Sequence, residues 1–590
     1  MILELFRANI FMEEWGKSMS VCKAKEVPMF SNIKEVLYNS VKLYRDNIAF
    51  TIKHKDENKV EYENKTYKDF LEDINSFGSS LYNLGLKDSR IAVMGRNRYE
   101  WAVAHLSNLL GGIVSVPLDK ELQLGELEES LIRSKVKAIV FDGKYKELME
   151  SIKERGKTFI EKFVCMDKEN GFLSMKNLLE EGRKNKKTKK QFENHKVDSK
   201  KMSILLFTSG TTSKSKAVML NQEGIATNIH DMLKVETFYS HDVNIAFLPF
   251  HHIFGSTGLL VMLASGIKTV FTDGLRYIKD NLVEYKVSVF IGVPLLIDKM
   301  YQGIEKAIKK QGKEKVVAIA RKISDFFRFF KIDIRRKLFK SVLKELGGDL
   351  RLIVAGGAPL DKELAKNFSS FGIDVVQGYG LTETSPVIAA EDDKRKRYGS
   401  IGFPMEHTDF EIVNQDENGV GEIRVKGPNV MLGYYENEEA TNEVLKDGWF
   451  YTGDLAYRDK DGYIFITGRK KDVIVLKNGK KVFPDELETL VNKIPAVEEV
   501  FVYGKPDKED ANDLMVGVKI VYDEKTAKSE YGNVSQEELR EIIWTKVKEI
   551  NKTLPKYKYI KDMILTDVPL IKTSTNKVKR NEEMKLILAK

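Results

Sequence analysis

The first 200 residues alternate between helix-period and strand-like hydrophobic patterns. Apolar residues recur at helical spacing from Tyr67 to Leu86, whereas the short run Arg90–Gly95 is typical of a buried strand. The same order repeats with the helical pattern Glu100–Gly112 and the strand-like runs 113–118 and 136–142. Strands that alternate with helices in this way predict a mainly parallel, doubly wound α/β core.

Beyond Asp447 the pattern changes to short strands separated by turn residues. The dipeptide Asp461-Gly462 lies between two strand-like runs, which predicts a β-hairpin. Further along the chain, strands mix with helices as in a compact α+β unit. We therefore place a domain boundary near Lys470.

Two charged stretches interrupt this order. Residues 180–201 are rich in lysine and predict a solvated basic linker. Residues 317–348 are amphipathic and basic, with aromatic side chains on one side. This second pattern predicts a packed pair of surface helices, and a contact with a membrane surface is the alternative.

The composition is typical of a globular enzyme. Of the 590 residues, 42% are hydrophobic, which is enough to bury several cores. The net charge of +9 is modest for this length and forms no basic stripe, so no nucleic-acid partner is expected. Such a charge suits anionic small molecules or an anionic membrane surface.

The cysteines and the apolar runs indicate the compartment. The two cysteines, Cys22 and Cys165, lie far apart, so neither a disulfide framework nor a Cys-based metal site is expected. The first residues mix acidic with apolar side chains, unlike a signal peptide. No run reaches the roughly 18 apolar residues of a membrane-spanning helix. We therefore expect a cytoplasmic protein.

The stretch LLFTSGTTSKSKAVML (205–220) places a hydroxyl-rich loop at the end of an apolar strand. The residues of interest are Thr208, Ser209, Gly210, Thr211, Thr212 and Lys216. Backbone N–H groups of a glycine-containing turn can surround an anion, hydroxyls add donors, and lysine adds positive charge. Because α/β sheets bind ligands at strand ends, we expect the loop to hold phosphate; an ordinary surface turn is the alternative.

Two glycine-rich segments, VAGGAPL (354–360) and QGYGLTETSPV (377–387), suit a flat ligand. Their glycines let a ring such as a purine approach the backbone closely. Tyr379 can stack on such a ring, Thr382 offers a hydroxyl, and Glu383 offers a hard oxygen ligand for Mg²⁺. A helix start that contains Thr and Glu is the alternative.

Two charged residues near the predicted hairpin complete the pattern. Asp454 in YTGDL can accept both hydroxyls of a ribose, and Arg469 in TGRKKD can reach phosphate or ribose. A hairpin-capping aspartate and a solvated arginine are the alternatives. The basic segment LIKTSTNKVKR (570–580) becomes relevant only if Lys577 reaches these groups.

Together these segments resemble those of the adenylate-forming (AMP-binding) superfamily, which includes acyl-CoA synthetases, luciferases and the adenylation domains of peptide synthetases. The resemblance runs from about Ile48 to Arg580 and rests on the order TSGTTSKSK, LPFHHIFG, GGAPL, QGYGLTETSP, GWFYTGD, GRKKD, NGKKVFPDELE and KTSTNK. It implies an α/β fold with a large N-terminal domain (1–470) of doubly wound parallel sheets and a β-barrel-like part. A small, mobile α+β C-terminal domain (471–590) follows.

The resemblance implies a two-step reaction. A carboxylate attacks the α-phosphorus of ATP to give acyl-AMP and pyrophosphate, and the thiol of CoA then forms a thioester. By position, Lys577 would bridge the carboxylate and the α-phosphate. Thr208 and Glu383 would hold the cofactor Mg²⁺.

The remaining roles are also assigned by position in the resemblance. ATP or AMP is expected on Thr208, Ser209, Gly210, Thr211, Thr212, Lys216, Gly356, Gly357, Ala358, Gln377, Gly378, Tyr379, Gly380, Thr382, Asp454 and Arg469. Lys471 matches the hinge between the domains. Gly479 and Lys480 match the strand beside the CoA tunnel.

The helical insert before the GGAPL segment resembles that of bacterial long-chain fatty-acid–CoA ligases. It favours a medium- to long-chain fatty acid, with His252, Phe254, Gly292 and Pro294 as candidates for the acyl pocket; His252 as a plain core histidine is the alternative.

Other functions stay open: transfer to an acyl-carrier protein, activation of a different carboxylic acid, and non-catalytic binding. A peripheral contact with the inner face of the membrane also stays open.

Four positions depart from the family pattern. Ser213, Ser215 and Ala217 replace residues of the usual phosphate loop, and Asn576 replaces the glycine before Lys577. None of these changes removes a charged group or hydroxyl that the reaction uses. We therefore expect activity to be retained.

Overall fold

Helices and strands alternate in the first third of the chain. The computed structural model describes residues 27–56, 59–168, 171–208, 215–393, 395–506, 514–572 and 578–589. Up to residue 208 the helices are α1 (Ile33–Tyr44), α2 (Tyr67–Asn83), α3 (Tyr99–Leu110), α4 (Leu124–Ser134), α5 (Lys146–Arg155), α6 (Met175–Lys184) and α7 (Lys186–Glu193). The strands are β1 (Ile48–Asp56), β2 (Lys59–Thr66), β3 (Arg90–Met94), β4 (Val114–Leu118), β5 (Ala138–Phe141), β6 (Lys162–Cys165), β7 (Leu173–Ser174) and β8 (Met202–Thr208).

The alternation continues through the middle of the chain. Between residues 215 and 404 the strands are β9 (Lys216–Asn221), β10 (Val243–Ala246), β11 (Lys268–Phe271), β12 (Val289–Gly292), β13 (Leu352–Ala355), β14 (Asp374–Gly380), β15 (Val387–Ala390) and β16 (Phe403–Pro404). The helices are α8 (Gln222–Val235), α9 (Ile253–Ala264), α10 (Ile278–Tyr285), α11 (Pro294–Lys310), α12 (Glu314–Phe329), α13 (Arg335–Leu338), α14 (Lys340–Lys344) and α15 (Lys362–Ser370).

Short strands dominate the last third. Up to residue 469 the elements are β17 (Asp409–Val413), β18 (Gly421–Lys426), β19 (Gly433–Tyr434), α16 (Glu438–Val444), β20 (Leu445–Lys446), β21 (Trp449–Arg458) and β22 (Ile464–Arg469). They are followed by β23 (Ile474–Val475), β24 (Lys481–Val482), α17 (Pro484–Val491), β25 (Val497–Pro506), β26 (Leu514–Tyr522), α18 (Glu524–Tyr531), α19 (Gln536–Lys552), β27 (Ile560–Thr566) and α20 (Arg580–Leu588).

Two large sheets form the body of the N-terminal domain. One has nine strands in the order β16-β15-β14-β13-β12-β10-β11-β1-β2, and the other has eight in the order β19-β9-β8-β4-β3-β5-β6-β7. The central pairs are parallel, and strands such as β5 and β12 are buried along their whole length because helices cover both faces. The doubly wound core is confirmed, although β2, β15, β16, β9 and β19 add antiparallel pairs at the edges.

A third, antiparallel sheet contains the predicted hairpin. Its strands run β17-β18-β21-β20, with β22 on β21. The β21–β22 turn is at Asp461-Gly462, as predicted, and Gly462 has φ +89°, a backbone conformation that favours glycine. This sheet leads directly from the N-terminal domain into the smaller C-terminal domain.

The C-terminal domain has its own hydrophobic core around the three-stranded sheet β25-β26-β27. Leu487, Val518 and Ile543 are fully buried in that core. Two lysine–carboxylate pairs connect this domain to the larger one: Lys481–Asp416 (3.1 Å) and Lys493–Asp361 (2.8 Å). The arrangement is thus a large α/β domain and a small α+β domain, with partly exposed ion pairs between them.

The prediction of a solvated basic linker over 180–201 is wrong. Most of that stretch forms α6 and α7, which pack against α2. The ring of Phe192 is fully buried, and a Cβ added at Gly78 or Gly111 would lie only 2.1 or 2.5 Å from it. One aromatic side chain therefore anchors a surface whose other residues are mostly lysine.

The insert is helical as predicted and forms α12 to α14, but α12 is not packed along its apolar side as the prediction of a packed helix pair requires. In α12, Ser324 is the one buried residue. The apolar side chains Val316, Ile319, Phe326, Phe329 and Phe330 are each more than half exposed, and Phe329 reaches 82%. Among the described residues, no helix is both long and apolar enough to cross a membrane.

We predict that Glu236, at the C-terminus of α8, makes stability depend on pH. Burial and the neighbouring Asp393 carboxylate raise the pKa of Glu236 from 4.5 to about 8. Between pH 4.5 and about 8 the folded protein keeps a proton that the unfolded chain releases, so the free energy of unfolding falls as the pH rises. Glu236→Gln should stabilise the protein by at least about 1 kcal/mol at pH 8 and leave it unchanged near pH 4.5.

Urea unfolding curves at several pH values would measure this effect. Glu417→Gln, at an exposed glutamate, serves as the control and should follow the wild-type profile at every pH. A Glu236→Gln profile parallel to that of the wild type would show that Glu236 does not carry the proton.

Candidate active site

The predicted phosphate loop leaves β8 at Thr208 and returns at Lys216 in β9. These two residues are partners in the antiparallel β8–β9 ladder, and the Thr208 hydroxyl donates to the Lys216 carbonyl at 3.2 Å. Ser209, Gly210, Thr211, Thr212 and Ser213 lie outside the described residues. The ladder nevertheless fixes both ends of the loop at one point of the eight-stranded sheet.

Arg133, in α4, holds the returning end of this loop. Its guanidinium donates to the carbonyl of Ser215 at 3.0 Å and to the Ser215 hydroxyl at 3.3 Å, and it lies 5.4 Å from the centroid of the Phe207 ring. Ser215 departs from the family pattern, and its hydroxyl has a structural use here. No sequence motif marked Arg133.

Tyr434 connects the phosphate loop to the predicted magnesium ligand. The Lys216 ammonium lies 4.6 Å from the centroid of the Tyr434 ring, and the Tyr434 hydroxyl donates to Glu383 at 2.8 Å. Burial and the Glu383 carboxylate both raise the pKa of Tyr434, so the phenol stays protonated and remains a donor. The sequence did not single out Tyr434, because it reaches the site only through the pairing of β19 with β9.

The donors at this point suit a magnesium ion. Thr208 offers a hydroxyl and Glu383 a carboxylate, and both are hard oxygen ligands of the kind that Mg²⁺ prefers. Tyr434 occupies one carboxylate oxygen of Glu383 and orients the group. The assignment of Thr208 and Glu383 as the Mg²⁺ ligands stays a prediction.

Asp454 brings the predicted ribose-binding residues together. Its carboxylate, in a residue that is only 5% exposed, accepts from the Tyr379 hydroxyl at 2.6 Å and from the Arg469 guanidinium at 2.7 Å. Burial and Asp454 raise the pKa of Tyr379 well above its ordinary value. Burial alone would lower the pKa of Arg469, but the Asp454 charge outweighs it and the pKa is raised.

The two glycine-rich segments lie side by side at the ends of neighbouring parallel strands. Gly356, Gly357 and Ala358 follow β13, while Gln377, Gly378, Tyr379 and Gly380 end β14 and Thr382 follows in a 3₁₀ turn. A Cβ at Gly380 would lie 1.9 Å from the Pro386 carbonyl oxygen, and Gly357 has φ +82°. Only glycine suits these two positions, as expected where a ligand approaches the backbone.

An apolar pocket adjoins the glycine-rich edge. It is lined by Ala246, Phe247, Leu248, Phe250, Phe254, Leu259 and Ile291, and it has room for about one water molecule (about 20 Å³). The ring of Phe254 would lie 2.9 Å from a Cβ at Gly356, so this ring separates the pocket from the adenine segment. Of the other acyl-pocket candidates, His252 precedes α9, Gly292 ends β12 and Pro294 begins α11.

The predicted hinge and tunnel residues lie at the start of the C-terminal domain. Lys471 lies in a 3₁₀ turn directly after Arg469; burial lowers its pKa, and the charges of Arg469 and Lys216 lower it further. Gly479 and Lys480 lie in the exposed β23–β24 turn, where Gly479 has φ +78°. The Lys480 ammonium lies 4.7 Å from the Tyr557 ring centroid.

The segment that contains Lys577 begins and ends at the wall of a cleft. Lys577 and Asn576 lie outside the described residues, but Lys572 and Val578 on either side form an antiparallel bridge. Both line a cleft of about 260 Å³ together with Pro359, which belongs to the glycine-rich segment VAGGAPL (354–360). The placement of Lys577 itself stays a prediction.

Arg580 anchors the helix that follows this segment. Its guanidinium lies 2.7 Å from Glu488 and 3.1 Å from Asp485 in α17. Burial would lower the pKa of Arg580, but the Glu488 and Asp485 charges outweigh it and the pKa is raised. A half-buried arginine thus fixes the chain after this segment to α17 of the C-terminal domain.

Two family models match the chain. The model of the AMP-binding enzyme family matches residues 37–435, and that of the AMP-binding enzyme C-terminal domain matches residues 471–586. Among curated proteins, long chain acyl-CoA synthetase 1 of Arabidopsis thaliana is 28% identical over 610 aligned positions, covering 93% of this chain and 90% of its own length.

Two further relatives differ in the acceptor given in their names. The chloroplastic long-chain-fatty-acid–[acyl-carrier-protein] ligase AEE15 of Arabidopsis thaliana is 27% identical and covers 81% of this chain and 76% of itself. The long-chain-fatty-acid–CoA ligase FadD15 of Mycobacterium bovis is 27% identical and covers 72% of each chain.

Solved structures share the fold. The anthranilate CoA ligase AuaEII, in complex with anthranoyl-AMP, superposes with a TM-score of 0.75 at 20% identity, covering 96% of this chain and all of its own. ATP-bound MatB from Rhodopseudomonas palustris gives 0.72 at 22% identity, with 94% and 99% covered. The large α/β domain followed by a small C-terminal domain is therefore the fold of adenylate-forming enzymes.

We predict that Asp454→Asn weakens ATP binding at least about tenfold. The substitution removes the charge that holds Arg469 and Tyr379 and replaces an acceptor oxygen by an NH₂ group, and hydrogen bonds to charged groups contribute about 1.5–3 kcal/mol. Calorimetric titration with ATP measures the loss. Asp461→Asn, which removes an exposed carboxylate paired with Arg397 in the same hairpin, should bind like the wild type. Equal affinities of the two variants would contradict the assignment of Asp454.

Proposed function

Because the chain belongs to the AMP-binding enzyme family, we propose that it joins a medium- to long-chain fatty acid to CoA by way of an acyl-AMP intermediate. The enzyme is then an acid–thiol ligase that consumes ATP and releases AMP and pyrophosphate. The observation that carries the proposal is that side-chain contacts join segments far apart in the sequence. Asp454 joins Tyr379 to Arg469, and Tyr434 joins Glu383 to Lys216.

In the first step, the fatty-acid carboxylate attacks the α-phosphorus of ATP and the bond to pyrophosphate breaks. The loop Thr208–Thr212 and Lys216 hold the β- and γ-phosphates, while Asp454 and Arg469 hold the ribose. Lys577 neutralises charge between the carboxylate and the α-phosphate, which a positively charged group in fixed position does more effectively than water. When bound by Thr208 and Glu383, Mg²⁺ neutralises charge on the phosphate oxygens.

In the second step, the CoA thiolate attacks the acyl carbon and AMP leaves. Lys577 must withdraw to admit the thiol, so we propose that the C-terminal domain (471–590) rotates about Lys471 and brings Gly479 and Lys480 towards the acyl-AMP. The boundary at 470/471 is supported by the start of the C-terminal family match at residue 471. The 3₁₀ turn Lys470–Asp472 lies at the same position.

The apolar pocket beside Gly356 supports an aliphatic acid as substrate. Most of its lining residues are Phe, Leu, Ile and Ala, and Asn244 and Gly255 complete it. A pocket with room for about one water cannot hold a fatty chain as it stands, so Phe254 and its neighbours must move when the acid binds. His252, Gly292 and Pro294 are proposed to border the widened pocket.

An acyl-carrier protein is the second candidate for the acceptor. The relative AEE15 is named a ligase for that protein, whereas long chain acyl-CoA synthetase 1 and FadD15 are named for CoA. The adenylation half-reaction is the same for both acceptors. The choice therefore concerns only what reaches the acyl-AMP after the domain rotation.

Pyrophosphate release with a panel of acids, with and without CoA, tests the proposed function. We expect activity to increase from acetate towards palmitate, and thioester to form only when CoA is present. Palmitoyl-AMP that passes to acyl-carrier protein but not to CoA would favour the second candidate. A preference for acetate or aryl acids would overturn the fatty-acid proposal.

Lys577→Ala tests the assigned lysine in the same assay. We expect adenylation to fall about 100-fold or more, because one positioned charge in a dry site contributes about 2.7–4 kcal/mol. Lys579→Ala is the matched control, since Lys579 lies two residues further on and pairs with Glu582 on the surface. Adenylation by Lys577→Ala near the wild-type rate would show that another group carries the charge.

We further propose that α12 contacts an anionic membrane surface, from which long-chain acids are drawn. The exposed apolar side chains Val316, Ile319, Phe326, Phe329 and Phe330 are accompanied by Lys315, Lys322 and Arg328 on the same helix. Apolar residues flanked by basic ones suit the interface of an anionic bilayer. Such a contact would place the enzyme on the inner face of the membrane.

Co-sedimentation with phosphatidylglycerol-containing vesicles tests this contact. Phe329→Ser with Phe330→Ser should reduce the bound fraction by at least about threefold, because each removes a large apolar side chain. Phe159→Ser with Leu275→Ser, also at exposed apolar positions, is the control and should bind like the wild type. Equal binding by both double variants, or no binding by the wild type, would exclude the proposed surface.

A further inference from the structure

A cluster of histidines and carboxylates lies outside the nucleotide cleft. His230 and Asp231 lie in the C-terminal half of α8, and Glu406 and His407 lie between β16 and β17. Each residue offers one potential ligand atom, and these four atoms lie within 4.8 Å of one another. We propose that the four residues bind a divalent transition-metal ion of the Zn²⁺ type.

The two imidazoles are already oriented as in metal sites. His407 Nδ1 lies 2.6 Å from Asp231 Oδ1, and the His407 backbone N–H donates to Asp231 Oδ2 at 3.2 Å. His230 Nδ1 lies 3.1 Å from the Pro28 carbonyl oxygen. Metal-binding histidines commonly donate one ring N–H to a backbone carbonyl, which fixes the ring and its tautomer, and the Pro28 carbonyl is placed to do this for His230.

Burial leaves the cluster anchored on one side and open on the other. His230 and Asp231 are 5% and 2% exposed, whereas the side chains of His407 and Glu406 are 35% and 53% exposed. The ligand atoms of a tetrahedral Zn²⁺ site lie about 3.4 Å apart, given Zn–ligand distances of about 2.1 Å. Small movements of the two exposed side chains are enough to reach that spacing.

The local charge favours a divalent cation. The Asp231 and Glu406 carboxylates are offset by one ammonium, that of Lys234, which lies 2.6 Å from Glu406. Two imidazoles with two carboxylates select Zn²⁺, Co²⁺ or Ni²⁺ over Mg²⁺ and Ca²⁺, which prefer sites made of oxygen.

The position in the fold indicates a structural role for the ion. It would join α8 to the segment that enters the antiparallel sheet at β17, next to a backbone carbonyl of the N-terminal segment. The N-terminus of α8 directly follows β9, the strand at which the phosphate loop returns. Bound metal would therefore stiffen the support of that loop without taking part in the reaction.

Calorimetric titration of the full chain, without an affinity tag and stripped with EDTA, tests the site with Zn²⁺ as the probe. We expect one equivalent to bind with a Kd in or below the micromolar range, and Mg²⁺ not to compete. The double variant Glu406→Gln with His407→Gln changes the two exposed ligands and should bind at least about tenfold more weakly. Its unfolding temperature without metal serves as the folding control.

Two single variants sharpen the test. His54→Gln removes an exposed histidine that pairs with Glu63, and it should leave Zn²⁺ binding unchanged. Lys234→Met removes the cation that competes for Glu406 and should tighten binding at least about threefold. Zn²⁺ should raise the unfolding temperature of the wild type but not that of the double variant.

Three results would overturn the proposal. The first is that the double variant binds Zn²⁺ with an affinity within threefold of the wild type. The second is that His54→Gln no longer binds one equivalent of Zn²⁺. The third is that the wild type binds no Zn²⁺. Because binding and unfolding are measured without ATP or acid, these results are independent of the proposed ligase activity.

Discussion

The active-site cleft depends on one buried carboxylate, that of Asp454. A carboxylate with so little access to water persists in a protein only when other donors replace the lost hydration. Tyr379 of the nine-stranded sheet and Arg469 at the end of the antiparallel sheet supply those donors. The same two bonds fix the geometry between the sheets and set the direction in which the chain enters the C-terminal domain.

Much of the fold followed from local pattern, because buried strands covered by helices on both faces must be continuously apolar. The Asp461-Gly462 hairpin was predicted for a similar reason, since few residues suit that turn. The lysine-rich stretch at 180–201 was misinterpreted because a single side chain, Phe192, decides its packing. One aromatic among many lysines is too weak a periodic signal to predict two helices.

The candidate active site likewise contains residues that local motifs predict and residues that only the folded chain brings there. Thr208 and Tyr379 stand in motifs at strand ends, and Asp454 stands in the motif YTGDL within β21, so local sequence marks all three. Tyr434 and Arg133 reach the phosphate loop only through strand pairing and helix packing, so no local motif marks them. The contact of Asp231 with His407, 176 residues apart, likewise exists only in the folded chain. The width of the apolar pocket also depends on side-chain packing, which the order of hydrophobic and polar residues in the sequence does not predict.

The lysine–carboxylate pairs between the domains have a consequence for the order of events. The partly exposed pairs Lys481–Asp416 and Lys493–Asp361 each contribute about 0–1 kcal/mol, and salt screens them further. Such pairs hold one domain orientation only weakly against another. Each substrate then shifts the equilibrium towards the domain orientation to which it binds more tightly. The bound substrate, rather than the contacts between the domains, therefore determines which of the two half-reactions follows.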